Sequence, residues 1–232
     1  MKISTIIGCL LFVSTGWSQN KLIKVKAGTE AQQGITFNEK YLFPEFKMGD
    51  VILMNGSVSR AKLDYNCLLN EMHFIALNGD TLALDNENFI NRIVIDSITF
   101  YYSPEFGFLE VIQEYRKLKL AQKQTFRVAG IEKMSAYQQS SATGAIKNYS
   151  VLSSGNNSMA KLDAKGDIVF SKEKFYYFID SNNRFYKASK TNLLKLYSSL
   201  KQSIQVFIKQ ESIDFYDENS LKKILQYCDS LQ

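Results

Sequence analysis

YLFPEFKMGDVILMNGSVSRAKLDYNCLLNEMHFIALNGDTLAL, residues 41–84, sets the fold class of this chain. It holds two Asn-Gly pairs, Asn55-Gly56 and Asn78-Gly79, each between apolar, strand-like runs. A two-residue type I′ turn needs φ > 0 at both central positions, which Asn followed by Gly adopts at least steric cost. Between the turns Ala61, Leu63 and Tyr65 alternate with Arg60, Lys62 and Asp64, predicting one buried and one wet strand face. The same period puts Met72, Phe74 and Ala76 on one face and His73, Ile75 and Leu77 on the other. The reading is an antiparallel β-meander that begins a larger sheet.

Downstream, Arg92–Tyr102 (RIVIDSITFYY) reads as one long central strand, β-branched and aromatic throughout. Ser103-Pro104-Glu105 turns the chain, and Phe106–Tyr115 and Leu118–Phe126 extend the sheet. Short strands with close turns predict a sandwich or barrel-like body. Residues 135–159 are rich in Ser, Gln, Asn and Gly and read as a polar connection. Order resumes with a hairpin, Ile168–Asp180 and Arg184–Ala188. Thr191 is placed to cap an amphipathic helix running from Leu193 to about Lys209. Asp217 or Asn219 caps a second helix, with the stripe Leu221, Ile224, Leu225, Cys228 and Leu231. The class is α+β: a β body over 19–130, a connection over 131–166, and a hairpin with two helices over 167–232, packed on the body.

Residues 1–18 read as a secretory leader. Lys2 precedes the apolar run Ile3–Val13, and Gly16 and Ser18 supply small residues at −3 and −1 of a cut before Gln19. Lipidation at Cys9 is the competing layout, but it would leave only Ile3–Gly8 as the apolar core of the leader. The run is too short to span a bilayer, so an exported, non-membrane-spanning chain is expected. Removing 18 of 232 residues leaves 214, and the loss of Lys2 takes the formal charge from +5 to +4. That charge is modest and interspersed with acidic residues, so nucleic acid is not expected as a partner. The 13 Tyr and 16 Phe provide ample apolar area for a core.

The mature chain keeps Cys67 and Cys228, which either pair in an oxidising compartment or stay as buried free thiols. Zinc normally needs several nitrogen or sulfur ligands, and this chain has a single histidine, His73. Asp80, Asp85 and Glu87 lack the EF-hand pattern. Gly28, Gly34, Gly49 and Gly56 make no phosphate-cradling motif, so neither metal nor cofactor is expected. The residues able to form a site are Glu71 and His73, two apart on one strand face, and the nearby Tyr65. A His–Glu pair can do acid–base work, yet no nucleophile elbow accompanies it, so catalysis is not expected. Consecutive aromatics such as Tyr101-Tyr102 and Phe175–Phe178 must reach both sheet faces.

The motifs YLFPEF, DYN at 64–66, NEM at 70–72 and GDTLAL at 79–84 carry a resemblance. Together with the closing KFYYF and NLLKLYSSLKQSI segments, the chain resembles a family of uncharacterised exported proteins of Gram-negative bacteria. Asp64 stands where that pattern has Asn, and Asn70 where it has Gly. The likeness covers most of 41–128 and 167–228 and implies location and fold, with no chemistry attached. The expectation is a non-catalytic binding or structural module of the cell envelope, acting on an envelope protein or ligand. A carrier of a hydrophobic or glycan ligand is the alternative, and a hydrolytic enzyme the third.

Overall fold

A computed structural model describes residues 22–134, 140–141 and 166–231. The expected leader and its cleavage site lie outside the described residues, as does the 135–159 connection apart from Ser140–Ser141. The chain begins with β1 (Leu22–Val25) and two single-turn helices, α1 (Ala31–Gly34) and α2 (Phe37–Lys40). Eight strands follow: β2 (Lys47–Leu53), β3 (Val58–Asn66), β4 (Glu71–Ile75), β5 (Thr81–Ala83), β6 (Ile90–Ile95), β7 (Ile98–Ser103), β8 (Gly107–Glu114) and β9 (Leu118–Met134). Then come β10 (Ser140–Ser141), β11 (Asp167–Asp180), β12 (Phe185–Lys187), α3 (Lys190–Leu196), α4 (Lys201–Gln210) and α5 (Glu218–Ser230). Among the described residues no helix is long and apolar enough to cross a membrane.

The strands form one antiparallel sheet in the order β1-β11-β9-β8-β7-β6-β2-β3-β4-β5, with β10 on β9 and β12 on β11. It is open, with β1 and β5 at its ends, where a sandwich or barrel was expected. β5 and β6 are far apart in this order, yet only Leu84–Phe89 joins them. Four strand steps of roughly 4.8 Å come to about 19 Å, close to the full reach of six residues, and curling of the sheet shortens that path. The curl brings β4 over β8.

Its hollow is filled by a first core in which Leu63, Met72, Ile93, Phe100, Phe126 and Phe170 are almost wholly buried. Further along the same face Leu118, Leu120 and Phe178 meet the stripes of α3, α4 and α5 in a second core. The opposite face carries a smaller cluster of Leu109, Ala121, Tyr177 and Ile179. β9 and β11 serve all three because successive residues point to opposite faces: Phe178 pairs with Leu120, and Tyr177 with Ala121. β9 also runs through Met134, past the expected boundary at 130.

Local geometry departs from the sequence reading at four places. Both Asn-Gly turns are three-residue loops: Gly56 N–H donates to Leu53 O and Gly79 N–H to Ala76 O. Only the glycines have positive φ (85° and 90°), the arrangement of a type I turn followed by a bulge. Asn55 Oδ1 accepts the Ser57 amide at 2.9 Å and Asn78 Oδ1 that of Asp80 at 3.1 Å, which braces each three-residue loop. The expected strand 92–102 is two, β6 and β7, because Asp96 takes a left-handed φ of 53° and reverses the chain.

The expected helix 193–209 is broken at Tyr197 into α3 and α4, and Ser189 rather than Thr191 caps it, accepting the Asn192 amide. Cys67 and Cys228 are free, fully buried thiols in separate cores, Cys67 beyond β3 and Cys228 on α5. Each fills apolar space as a small hydrophobe. The bridge weighed from the sequence is therefore not present.

Gly49, on β2, has no room for a side chain against β6. A Cβ there would lie 2.8 Å from Val94 O and 2.9 Å from Ile95 Cγ1, whereas one at Gly130 would meet nothing within 4 Å. Gly49→Ala is expected to cost about 1–3 kcal/mol through overpacking, and Gly130→Ala much less. Urea denaturation of the two variants, read side by side, checks the difference.

Candidate functional site

The segment from Phe37 to Phe46 straps across the face of β3 and β4 that the sequence leaves wet. Leu42 N–H donates to Tyr65 O at 3.0 Å and Cys67 N–H to Lys40 O at 2.7 Å, tying the strap to the end of β3. Pro44 sits within it, outside any strand, where its missing donor costs the sheet nothing. The Phe37 and Phe46 rings both pack on Tyr41, at 4.5 and 5.2 Å between centroids, and lie 6.1 Å from each other.

Beneath the strap lies a buried polar cluster. Register places Asp64 opposite His73 and Asn66 opposite Glu71, so all four share one face. His73 Nε2 is 3.0 Å from Glu71 Oε2 and its Nδ1 is 2.8 Å from the Tyr41 hydroxyl. A carboxylate only accepts, so Nε2 carries the proton in the neutral ring and Nδ1 accepts from the Tyr41 O–H. The Tyr41 ring also meets the imidazole edge-on at 5.7 Å. Asn66 Oδ1 accepts the amides of Leu68 and Leu69, both at 3.0 Å, and so shapes the turn into β4.

Asp64 is fully buried. Its Oδ1 accepts the amides of Leu42 and Phe43, each at 3.2 Å, while Oδ2 has no partner. Burial pushes its carboxyl up to about 6, against the pull of those amides and of His73. Burial likewise raises the Tyr41 phenol.

The expected pair Glu71 and His73 is thus brought together. Tyr65 is not: it points through the sheet into the first core, 6.1 Å from the Phe100 ring, with its hydroxyl donating to Asn70 Oδ1 at 3.4 Å. Sequence reasoning missed Tyr41, Asp64 and Asn66. Alternation along β3 placed Asp64 on the face of Lys62 and Arg60, but only the register and the strap show that this part of the face is covered.

A carboxylate-oriented imidazole is a general-base arrangement. Here its second nitrogen is engaged by a phenol that also pins the strap, so the groups satisfy one another and hold the segment down. The nearest thiol, Cys67, is pushed up to about 11 by burial, with Lys172 acting against the shift, so it is protonated near neutral pH and a poor nucleophile. Asp80 lies in the β4–β5 turn and Asp85 and Glu87 before β6. Among the described residues no three His, Cys, Asp or Glu side chains are gathered to hold a metal.

A second feature lies at the end of the sheet where the β2–β3 turn meets the loop before β6. A cleft of about 500 Å³ is lined by Leu53, Met54, Asn55, Asp85, Asn86, Phe89 and Ile90. Met54 N–H donates to Phe89 O at 2.8 Å, which fixes the two sides together. The Met54 and Phe89 side chains are 66% and 65% exposed beside it. Searches against protein families, curated proteins and solved structures find no match for this chain.

The buried carboxyl makes stability pH-dependent. Asp64 holds its proton more tightly when folded (about 6) than at the ordinary value of 3.8, so protonation favours the fold. That contribution is complete below the ordinary value and is lost as pH rises through about 6. Asp64→Asn keeps an oxygen for the two amides and removes the charge. Its stability relative to the native chain is expected to grow by on the order of 2 kcal/mol between pH 4 and pH 8, measured by urea unfolding across that range.

Proposed function

We propose that this chain is an exported, non-catalytic binding module of the bacterial cell envelope. The observation that carries the binding reading is the cleft at the β2–β3 tip, with Met54 and Phe89 presented outward beside it. Large apolar side chains held by a main-chain bond and rimmed by Asn55, Asp85 and Asn86 have the composition of a recognition patch, apolar at the centre and polar around it. Neither side chain packs in a core cluster, so their exposure stabilises nothing in the isolated fold.

Export rests on the Lys2–Ser18 layout and on the resemblance to exported Gram-negative proteins. The non-catalytic reading is supported by the way Tyr41, His73 and Glu71 bond to one another. On this view the buried cluster fastens the strap and the cleft meets the partner, an envelope protein or lipid-anchored surface.

Expression in a Gram-negative host tests both halves. Intact mass of the exported protein should match a chain beginning at Gln19, and the protein should sediment with isolated envelopes. Met54→Asp combined with Phe89→Asp should leave the melting temperature within a few degrees, since both side chains are exposed, and reduce sedimentation at least about tenfold, as for lost anchor residues. Unchanged sedimentation would remove the cleft from the reading. Stoichiometric uptake of a fluorescent fatty acid, lost in the same double variant, would make the protein a carrier instead.

His73→Gln is expected to leave envelope binding within about twofold while lowering stability by ~1 kcal/mol, the usual scale for one substitution. A folded His73→Gln protein that has lost a defined hydrolytic activity would put the enzyme reading first.

A further inference from the structure

On the side of the sheet that carries both large cores, β8, β9 and β11 turn polar midway. Along β9, Leu120 belongs to the second core and Phe126 to the first, and Gln122 and Gln124 lie between them on the same face. Register sets Glu110 and Tyr176 on either side of Gln122, and Lys174 opposite Gln124. Glu218, the first residue of α5, reaches this band from the helical side. Its Oε2 is 3.9 Å from Lys174 Nζ, and its Oε1 accepts from Lys222 Nζ at 2.7 Å. Gln122 is buried at the floor, Glu110, Gln124 and Tyr176 are half-buried, and Lys174 is exposed at the rim.

The hydrogen bonds within the band leave an acceptor over. Gln122 Nε2 donates to Glu110 Oε2 at 2.9 Å, and the Gln124 side chain bonds to the same carboxyl. An amide that gives its NH2 to a carboxylate turns its carbonyl away from it. Gln122 Oε1 has no partner, although the residue is only 6% exposed. Buried polar atoms are ordinarily paired, so this one points to a donor from outside the chain. Bonding to Glu110 accounts for the register of β8 on β9 and still leaves that carbonyl unanswered.

The charges in the band narrow the class of donor. Lys174 offsets the Glu110 carboxyl and stands beside Glu218, so a cationic ligand would meet an ammonium already in place. A neutral ligand rich in hydroxyls meets no such repulsion. Each hydroxyl both donates and accepts, which matches a lining of amides, carboxyls and one ammonium. Tyr176, at the margin of the second core, adds an aromatic surface for the C–H face of a sugar ring.

We propose that this band is a binding site for a neutral saccharide, whose hydroxyls donate to Gln122 Oε1 and Glu110 and accept from Lys174. It shares no residue with the Met54–Phe89 cleft, so the two sites stand or fall separately.

Titration of the purified full chain with maltotriose, cellotriose, chitotriose and mannotriose, followed through the side-chain amide NMR signals of Gln122 and Gln124, tests this. At least one sugar is expected to shift both signals saturably, with a Kd of ~1 mM or tighter, while the Asn55 side-chain amide stays in place. Gln122→Leu removes the acceptor at similar size and should weaken binding at least ~10-fold, read on Gln124. Lys174→Ala changes an exposed residue, so the fold is retained, and should weaken binding at least ~3-fold. Met54→Asp combined with Phe89→Asp should leave the affinity within ~2-fold.

Absence of any shift with all four sugars at ~20 mM would overturn the proposal. So would a sugar affinity that neither Gln122→Leu nor Lys174→Ala alters, or one that disappears in the Met54 and Phe89 double variant. If Gln122→Leu fails to fold, Lys174→Ala decides. Saturation of the same signals by butylammonium and by none of the sugars would make this an amine site and refute the saccharide assignment.

Discussion

The pairing of β9 with β11 is the constraint on which the rest of the molecule depends. All fourteen residues of β11 pair with β9, from Asp167 with Glu132 to Asp180 with Leu118. The two strands are remote in sequence, and their ladder carries side chains into every apolar cluster. Phe126 and Phe170 enter the curled core, Leu120 and Phe178 the helical one, and Ala121 and Tyr177 the opposite face. A slip of one residue would exchange those faces and expose several buried aromatics, each worth about 1.5–3 kcal/mol of burial. β1, β12 and the helices take their positions from β11, and β8 takes its place from β9.

Between the two cores the same face becomes polar. Gln122 donates to Glu110 at 2.9 Å, and burial raises that carboxyl against the bonds from Gln122 and Gln124 and the charge of Lys174. Lys123, on the other face, is lowered by burial and donates to Phe106 O at 2.8 Å, fixing the β7–β8 turn. Such groups cost stability when compared with apolar packing, but they permit only one pairing, because a shifted register would leave each of them without its partner.

The strap illustrates the same trade. Asp64 gives up hydration to receive two amides from a segment with no strand of its own, and Tyr41 closes on His73 from the same segment. Polar atoms under the strap and aromatic rings over it make this covering specific where an apolar contact would slide. The outward-facing Met54 and Phe89, by contrast, are constrained only through the backbone, which leaves their side chains free to meet another surface.

The sequence by itself determined the elements whose signals are local. Period-two alternation marks β3 and β4, the Asn-Gly pairs mark both turns, and i, i+3, i+4 spacing marks the C-terminal stripes. The adjacency of Glu71 and His73 also follows from spacing alone, since residues two apart share a strand face. Only the tertiary structure decided the rest. Asp96 reverses a run that reads as one strand, because a left-handed residue leaves almost no trace in hydrophobic pattern. β6 joins β2 instead of β5, and β11 joins β9 across the connection, because partner choice is settled by the packing of whole faces. Tyr41 meets His73 across 32 residues, and Asp64 becomes buried, only because the strap folds back over a face that alternation alone assigns to water.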